Sequence, residues 1–402
     1  MTEDSAPSFS MNRTCPYQPP AEHLRRRDEV PVSKVTLPDG REAWVFTRHR
    51  DVRAMLSDKR FSSDRADPRF PVLVPRLRVP RTNDFRLSLL WMDPPHHTGV
   101  RRAVMGEFTV HRVNELLPRI VEIVREHLTA MLGGPRPADL VRVLALPVPM
   151  QVICELLGVP FEDRDFIQSR TLDLFRLANP PEVRISARTE LLTYADEWIS
   201  RKELDGRADD LIGRQLIKRA AAGLDSRKEL IELIFFILIS GIETTANMIS
   251  LGTFTLLEHP ETLAELQADQ GKIPAAVEEL LRFYTVSETA TTRFAKEDVE
   301  IAGVLVREGE GVIGLSNTAN RDPEVFPDPH RFDIGRNTRQ HLAFGFGPHQ
   351  CIGQNLARAE LTIVFTELLT RAPRLKLACA VEDLPFKDDG SEYGLHSLPV
   401  SW

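Results

Sequence analysis

Four cysteines stand far apart in the chain, at positions 15, 154, 351 and 379, with no CxxC pair among them. One of them lies in a setting suited to chemistry. Cys351 follows Phe344-Gly345-Phe346-Gly347-Pro348-His349-Gln350 and precedes Ile352-Gly353, after which Gln354-Asn355-Leu356-Ala357-Arg358-Ala359-Glu360 opens a helical pattern. Glycines at 345, 347 and 353 let the backbone approach a bulky partner, and the start of the helix aims unpaired N–H groups toward the sulfur. Both features stabilise a thiolate, while Phe344 and Ile352 keep water from it. The combination suits a soft metal ligand whose redox potential is set by hydrogen bonds and dryness.

Rival readings are an inert buried thiol and a zinc site shared by His341, His349 and Cys351, but glycines and phenylalanines suit a planar macrocycle better than a compact tetrahedral ion. Three further pairs carry chemistry. His97 and Arg101 lie one helical turn apart just after Pro94-Pro95, so both can project toward one anionic group or form a solvated basic face. Glu279 and Arg282 have the spacing of a helical ion pair. Glu243 and Thr244 place an acid beside an alcohol in an otherwise apolar helix, where the threonine can also bond back to a carbonyl one turn earlier.

The cysteine loop resembles the haem signature of the cytochrome P450 family, the haem-thiolate monooxygenases, whose pattern is Phe-x-x-Gly-x-[His/Arg]-x-Cys-x-Gly. Phe344, Gly347, His349, Cys351 and Gly353 match every fixed position. The resemblance implies haem b (iron protoporphyrin IX), with Cys351 as proximal iron ligand and His349 pointing to a propionate. It covers most of the chain. Glu279-Leu280-Leu281-Arg282 is similar to the family's Glu-x-x-Arg, and Arg331, in Pro329-His330-Arg331-Phe332, to the arginine that joins that pair in a core network. His97 and Arg101 look like the family's propionate pair, and Arg293, in Thr291-Thr292-Arg293-Phe294, stands where another propionate arginine is placed. Asn12-Arg13-Thr14-Cys15-Pro16 and Phe61-Ser62-Ser63-Asp64-Arg65 are similar to bacterial, actinomycete members. Two departures stand out: His96 replaces the usual Glu of Asp-Pro-Pro-Glu-His-Thr, and the oxygen-activation motif reads Ser240-Gly241-Ile242-Glu243-Thr244-Thr245 where Ala-Gly-x-Glu-Thr-Thr is usual.

What the resemblance implies is a monooxygenase that takes dioxygen as co-substrate and hydroxylates or epoxidises an apolar small molecule, such as a macrolide, polyketide, steroid or xenobiotic. Glu243 and Thr244 are then its catalytic proton-delivering pair. Electrons come ultimately from NAD(P)H through a separate ferredoxin and ferredoxin reductase, because the chain has neither a Gly-rich dinucleotide fingerprint nor clustered iron–sulfur cysteines. The alternatives are a peroxide-driven peroxygenase, which needs no acid-alcohol relay, and a non-catalytic haem protein that binds a gas.

The elements that must position these residues are mostly helices, expected at 112–132, 150–157, 181–201, 211–222, 226–257 and 273–284, with a last one from just after Cys351 to about 370. Asp93 is expected to cap the helix that carries His97. Val32 to Leu37, Pro38-Asp39-Gly40 and Ala43 to Phe46 read as a β-hairpin, and weak alternation returns at 290–294 and 299–301. The Pro-rich, apolar segment 61–91 and the region 166–180 read as loops that shape a pocket, and residues 1–30 as an irregular segment. No linker divides the 402 residues, so the expectation is one mainly α domain with a small β portion. Net charge −7 disfavours nucleic acid or an anionic membrane as the main partner, although Arg101, Arg102, Arg112, Arg336, Arg339 and Arg358 are expected to make the cysteine side locally positive for an acidic ferredoxin. The opening residues lack a signal pattern, and the apolar run 233–242 is short of the ~20 residues that span a bilayer, so a cytoplasmic protein is expected.

Overall fold

The computed structural model describes residues 6–73, 88–175, 179–206, 209–221, 226–288, 290–387 and 392–402. Among these, thirteen α-helices against twelve strands of two to five residues make the chain mainly helical with a small β portion. Two compact units divide it, one of Met1–Thr82, Asn247–Gln354 and Cys379–Leu398, the other of Asn83–Ala246, Asn355–Ala378 and Pro399–Trp402.

The first unit is built on a five-stranded sheet. Val32–Thr36 and Glu42–Phe46 form the expected hairpin, Val35 opposite Ala43, with Gly40 at φ 81° making the reversal that an L side chain resists. Glu42–Phe46 then pairs parallel with Gly311–Gly314, which pairs with Thr292–Ala295, which pairs with the two-residue strand Phe61–Ser62. Alternating side chains feed two apolar clusters. Val35, Val45 and Ile313 pack with Phe9 and Leu315, while Phe46, Val312 and Phe61 pack with Val52, Met55 and Leu56 of the helix His49–Ser57.

The second unit is helical, with one small antiparallel sheet ordered Ala138–Asp139, Pro399–Ser401, Lys376–Leu377. Its helix Val110–Gly133 is capped by Thr109, whose hydroxyl accepts from Arg112 N–H, and buries Val113, Ile120, Val124 and Leu128 at helical spacing. The longest helix, Arg227–Glu258, passes from this unit into the first. By length and composition it could cross a membrane, yet 67% of its most apolar window is buried, which marks it as a core helix.

Several expectations are corrected. Residues 1–30 contain a helix, Ala21–Glu29, without an apolar stripe: its buried side chains are His23, Arg26 and Arg27, with Arg26 Nη1 donating to Ser33 Oγ at 2.9 Å and Arg27 to the Arg321 carbonyl. Long charged side chains buried by polar contacts leave no apolar period to read. His49–Ser57 and Pro260–Ala268 are short helices absent from the sequence-based segmentation, and Arg164–Phe175 is helical where a loop is expected. The helix carrying His97 begins at His96 with Pro95 as its N-cap, and Asp93 contributes its carbonyl to His97 N–H at 3.0 Å. Within 61–91, Phe61, Phe70, Leu73 and Trp91 are buried, while Val74, Leu77 and Phe85 lie outside the described residues.

His23 is 2% exposed and stacks on Phe9, ring centroids 5.3 Å apart, where Phe9 N–H donates to the Thr36 carbonyl at 2.8 Å. Burial pulls its pKa from 6.5 to about 4, opposed by the Ser10 backbone and reinforced by the Arg13 and Arg26 charges. The unfolded chain therefore takes up this proton more readily than the folded one. His23's contribution is complete above pH 6.5 and drains away toward pH 4, by about 3 kcal/mol at most. Denaturant titrations across that window should show a shallower pH dependence for His23→Phe than for the native chain. An unchanged slope would contradict the assignment.

Candidate active site

Cys351 is the exposed cysteine of the four: Cys154 is buried, and Cys15 and Cys379 are half-buried. Burial pushes the Cys154 thiol up to about 12 and raises that of Cys379, with Asp383 adding to the latter. Neither is disposed to act as a thiolate.

The loop around Cys351 is closed by its own backbone, with Cys351 N–H donating to the Phe344 carbonyl at 2.8 Å and Gln350 N–H to that of Gly347 at 3.0 Å. The helix His49–Ser57 fixes it from one side. Gly347 has φ 72°, and a Cβ there would lie 2.7 Å from the Leu56 carbonyl oxygen, so glycine is required twice over. The Arg53 guanidinium lies 4.2 Å from the Phe346 ring centroid, and His49 Nε2 is 2.8 Å from the Gln340 carbonyl. From another side, His341 accepts Ala343 N–H at Nδ1, 3.2 Å, which leaves Nε2 to donate to Glu278 at 3.0 Å. His349 Nε2 is 3.0 Å from Ser63 Oγ. The two histidines of the zinc reading are thus turned to Glu278 and Ser63, and among the described residues no group of three His, Cys, Asp or Glu side chains could hold a metal ion.

Ser62 pairs with Phe294, the residue after Arg293, and the adjacent Ser63 meets His349. Arg293 is 5% exposed, and its Nη1 donates to the Ala290 and Thr292 carbonyls at 2.9 and 2.7 Å. In the other unit His97 is 1% exposed and Arg101 half-buried, one turn apart on His96–Met105.

Glu279 and Arg282, on the helix Ile273–Tyr284, are wholly buried and bidentate, Nε to Oε2 at 2.7 Å and Nη2 to Oε1 at 2.8 Å. Arg282 Nη1 also donates to the Asn320 and Pro329 carbonyls at 2.8 and 3.0 Å. The second guanidinium on Glu279 is that of Arg336, Nε to Oε1 at 3.3 Å, alongside Asp333 N–H at 2.9 Å.

Glu243 and Thr244 are half-buried on Arg227–Glu258, and Thr244 Oγ1 donates to the Ser240 carbonyl one turn back at 2.9 Å. Gly241 lets Ile153 pack close: a Cβ there would sit 2.4 Å from Ile153 Cδ1 on Pro147–Leu157, and the isoleucine would have to move. Thr245 is buried.

The cytochrome P450 family model matches residues 200–378. Pentalenic acid synthase of Streptomyces avermitilis is 48% identical, with 100% of this chain and 99% of that protein aligned. The chain belongs to the cytochrome P450 family. Vitamin D3 dihydroxylase of Streptomyces griseolus is 44% identical over 99% of this chain and 97% of its own. The crystal structure of cytochrome P450 MoxA from Nonomuraea recticatena superposes with a TM-score of 0.93 at 48% identity, over 98% of each chain. This P450 stands among the actinomycete monooxygenases.

Its residues fit the family's haem on their own chemistry: one exposed thiol in a loop held open by glycines, Phe344 and Phe346 half-buried beside it, and buried cations for the acidic edge. One expected role is corrected. Arg331 is exposed and lends the core network only its carbonyl, 3.5 Å from Arg282 Nη2, whereas Arg336, expected on the docking face, holds Glu279. Both follow the same turn of coil, and only the tertiary path decides which guanidinium reaches inward.

Removing one partner from a buried charge cluster leaves the rest uncompensated, so Arg336→Met should cost about 3 kcal/mol in chemical denaturation and Arg331→Met under about 0.5. Equal losses for the two would contradict the assignment.

Proposed function

We propose that this P450 acts as a single haem-thiolate domain over residues 1–402, holding haem b through Cys351, with His97, Arg101, Arg293 and His349 binding the propionates and Phe344, Gly347 and Gly353 shaping the loop. The observation that carries this is Cys351 itself, the one exposed cysteine, in a loop where Gly347 cannot be replaced. Bound there, haem supplies the activation of dioxygen, and the thiolate's electron donation favours O–O cleavage. The chain's part is to seat the sulfur, exclude water and deliver protons. The substrate is an apolar small molecule of the polyketide, macrolide, steroid or xenobiotic kind, a reading supported by relatives named for pentalenic acid and vitamin D3.

Glu243 and Thr244 are assigned the proton delivery. With its hydrogen committed to the Ser240 carbonyl, Thr244 Oγ1 offers lone pairs that can hold a water, while Glu243 exchanges protons with solvent. Electrons are assigned to a ferredoxin served by a ferredoxin reductase and NAD(P)H, in the cytoplasm, with no membrane or nucleic-acid partner. Arg102 is the exposed arginine on His96–Met105, followed by exposed Met105 and Val110, and Arg112 is already paired with Glu115. Arg102→Glu should therefore raise the ferredoxin concentration needed for half-maximal reduction several-fold at low salt and Arg112→Glu less, in stopped-flow reduction. The reverse order would sink the docking assignment.

Purified protein should show the red-shifted carbon monoxide band of thiolate-ligated ferrous haem. Cys351→Ser should abolish it, and Cys154→Ser should not. A persistent band in Cys351→Ser would remove the central claim. Thr244→Ala should still bind haem and substrate and consume NAD(P)H, but divert most electron pairs to hydrogen peroxide, with Thr245→Ala affected less. Unchanged coupling in Thr244→Ala would end the relay assignment.

A further inference from the structure

Between Ile231 and Leu257 the long helix is buried or half-buried at every position except Ser240, which is exposed. An exposed residue midway along a core helix marks an opening in the packing, because interiors are otherwise filled to crystal-like density. Of its neighbours one turn away, Phe236, Glu243 and Thr244 are half-buried and Ile237 is buried, as are Ile242, Thr245 and Ala246. The opening is therefore a stripe on one face, centred on Ser240.

The hydrogen-bond inventory of that stripe singles out one group. Phe236 is apolar, and the Thr244 hydroxyl hydrogen is committed to the Ser240 carbonyl at 2.9 Å. Ser240 Oγ makes no hydrogen bond among the described residues, although Ser57, Ser200 and Thr255 of this chain bond back to the carbonyl four residues earlier, as helical hydroxyls commonly do. Ser240 is thus a side-chain donor facing the opening with its hydrogen uncommitted.

We propose that Ser240 is a specificity-determining residue whose hydroxyl donates to a neutral oxygen acceptor, a ketone, lactone or ether, on an otherwise apolar substrate near the carbon to be oxidised. The proximity to that carbon rests on the assignment of Glu243 and Thr244 as the proton-delivering pair. Neutrality follows from the lack of a cation on that face: its half-buried neighbours are Phe236, Glu243 and Thr244, none of which would balance a substrate carboxylate. An uncharged hydrogen bond of this kind changes affinity by about fivefold.

The test uses the holoenzyme and two ligand pairs that differ only in one oxygen, 1-tetralone against tetralin and 2-decalone against decalin, with dissociation constants read from the ligand-induced change in the haem spin-state spectrum. Ser240→Ala, a better helix former at an exposed position, should fold and weaken both ketones about fivefold while leaving the hydrocarbons unchanged. Ser240→Thr, which keeps the hydroxyl, should retain the ketone preference. Equal shifts for ketone and hydrocarbon, no shift for either, or a native enzyme that binds both classes equally or not at all would overturn the role of Ser240. The carbon monoxide spectrum separates this failure from a deeper one. A thiolate-type band together with any of those results removes Ser240 alone, whereas its absence from the native protein removes the haem-thiolate reading and this proposal with it.

Discussion

Two opposite charges with no solvent exposure, Glu279 and Arg282, fix the coil that leads to the cysteine loop of this P450. Burying each charge costs several kcal/mol unless its hydrogen-bonding capacity is filled. All five N–H groups of Arg282 are directed at acceptors: two at Glu279 and one each at the carbonyls of Asn320, Pro329 and Arg331. Glu279 in turn takes Asp333 N–H and Arg336. The coil 320–336 has no strand ladder of its own, so these bonds define its path. At its start Asn320 Oδ1 accepts Leu342 N–H at 2.7 Å, which hands the constraint on to the cysteine loop.

Around that frame, absent side chains matter as much as present ones. Gly347 admits the Leu56 carbonyl at a distance a Cβ could not tolerate, and Gly241 admits Ile153, which would have to move for a Cβ. The first presses the cysteine loop onto His49–Ser57, where Arg53 covers Phe346. The second draws one face of the long helix tight, while its other face stays open at Ser240, Glu243 and Thr244. The proton delivery proposed for Glu243 and Thr244 needs that asymmetry, because a helix packed on all sides would bury an acid with no route to solvent, and a fully solvated one would expose the chemistry to water.

Sequence alone determined the features that rest on local chemistry. The cysteine loop, the acid-alcohol pair, the hairpin at 32–46 and the helices with an apolar period are legible because glycine punctuation, turn residues and 3.6-residue spacing act within a few positions of one another. Helices such as Ala21–Glu29 escaped because their buried face is Arg26 and Arg27, whose partners Ser33 and Arg321 lie elsewhere in the chain. Tertiary structure alone decided which of two nearby arginines, Arg331 or Arg336, reaches Glu279, and that Arg112 is neutralised while Arg102 faces solvent. It also decided that one serine in a core helix stands uncovered. Charge type and motif spacing are written in the sequence, but burial depends on what the rest of the chain brings to the same place, and burial determines whether a charge or a hydroxyl holds the fold together or remains available to a ligand.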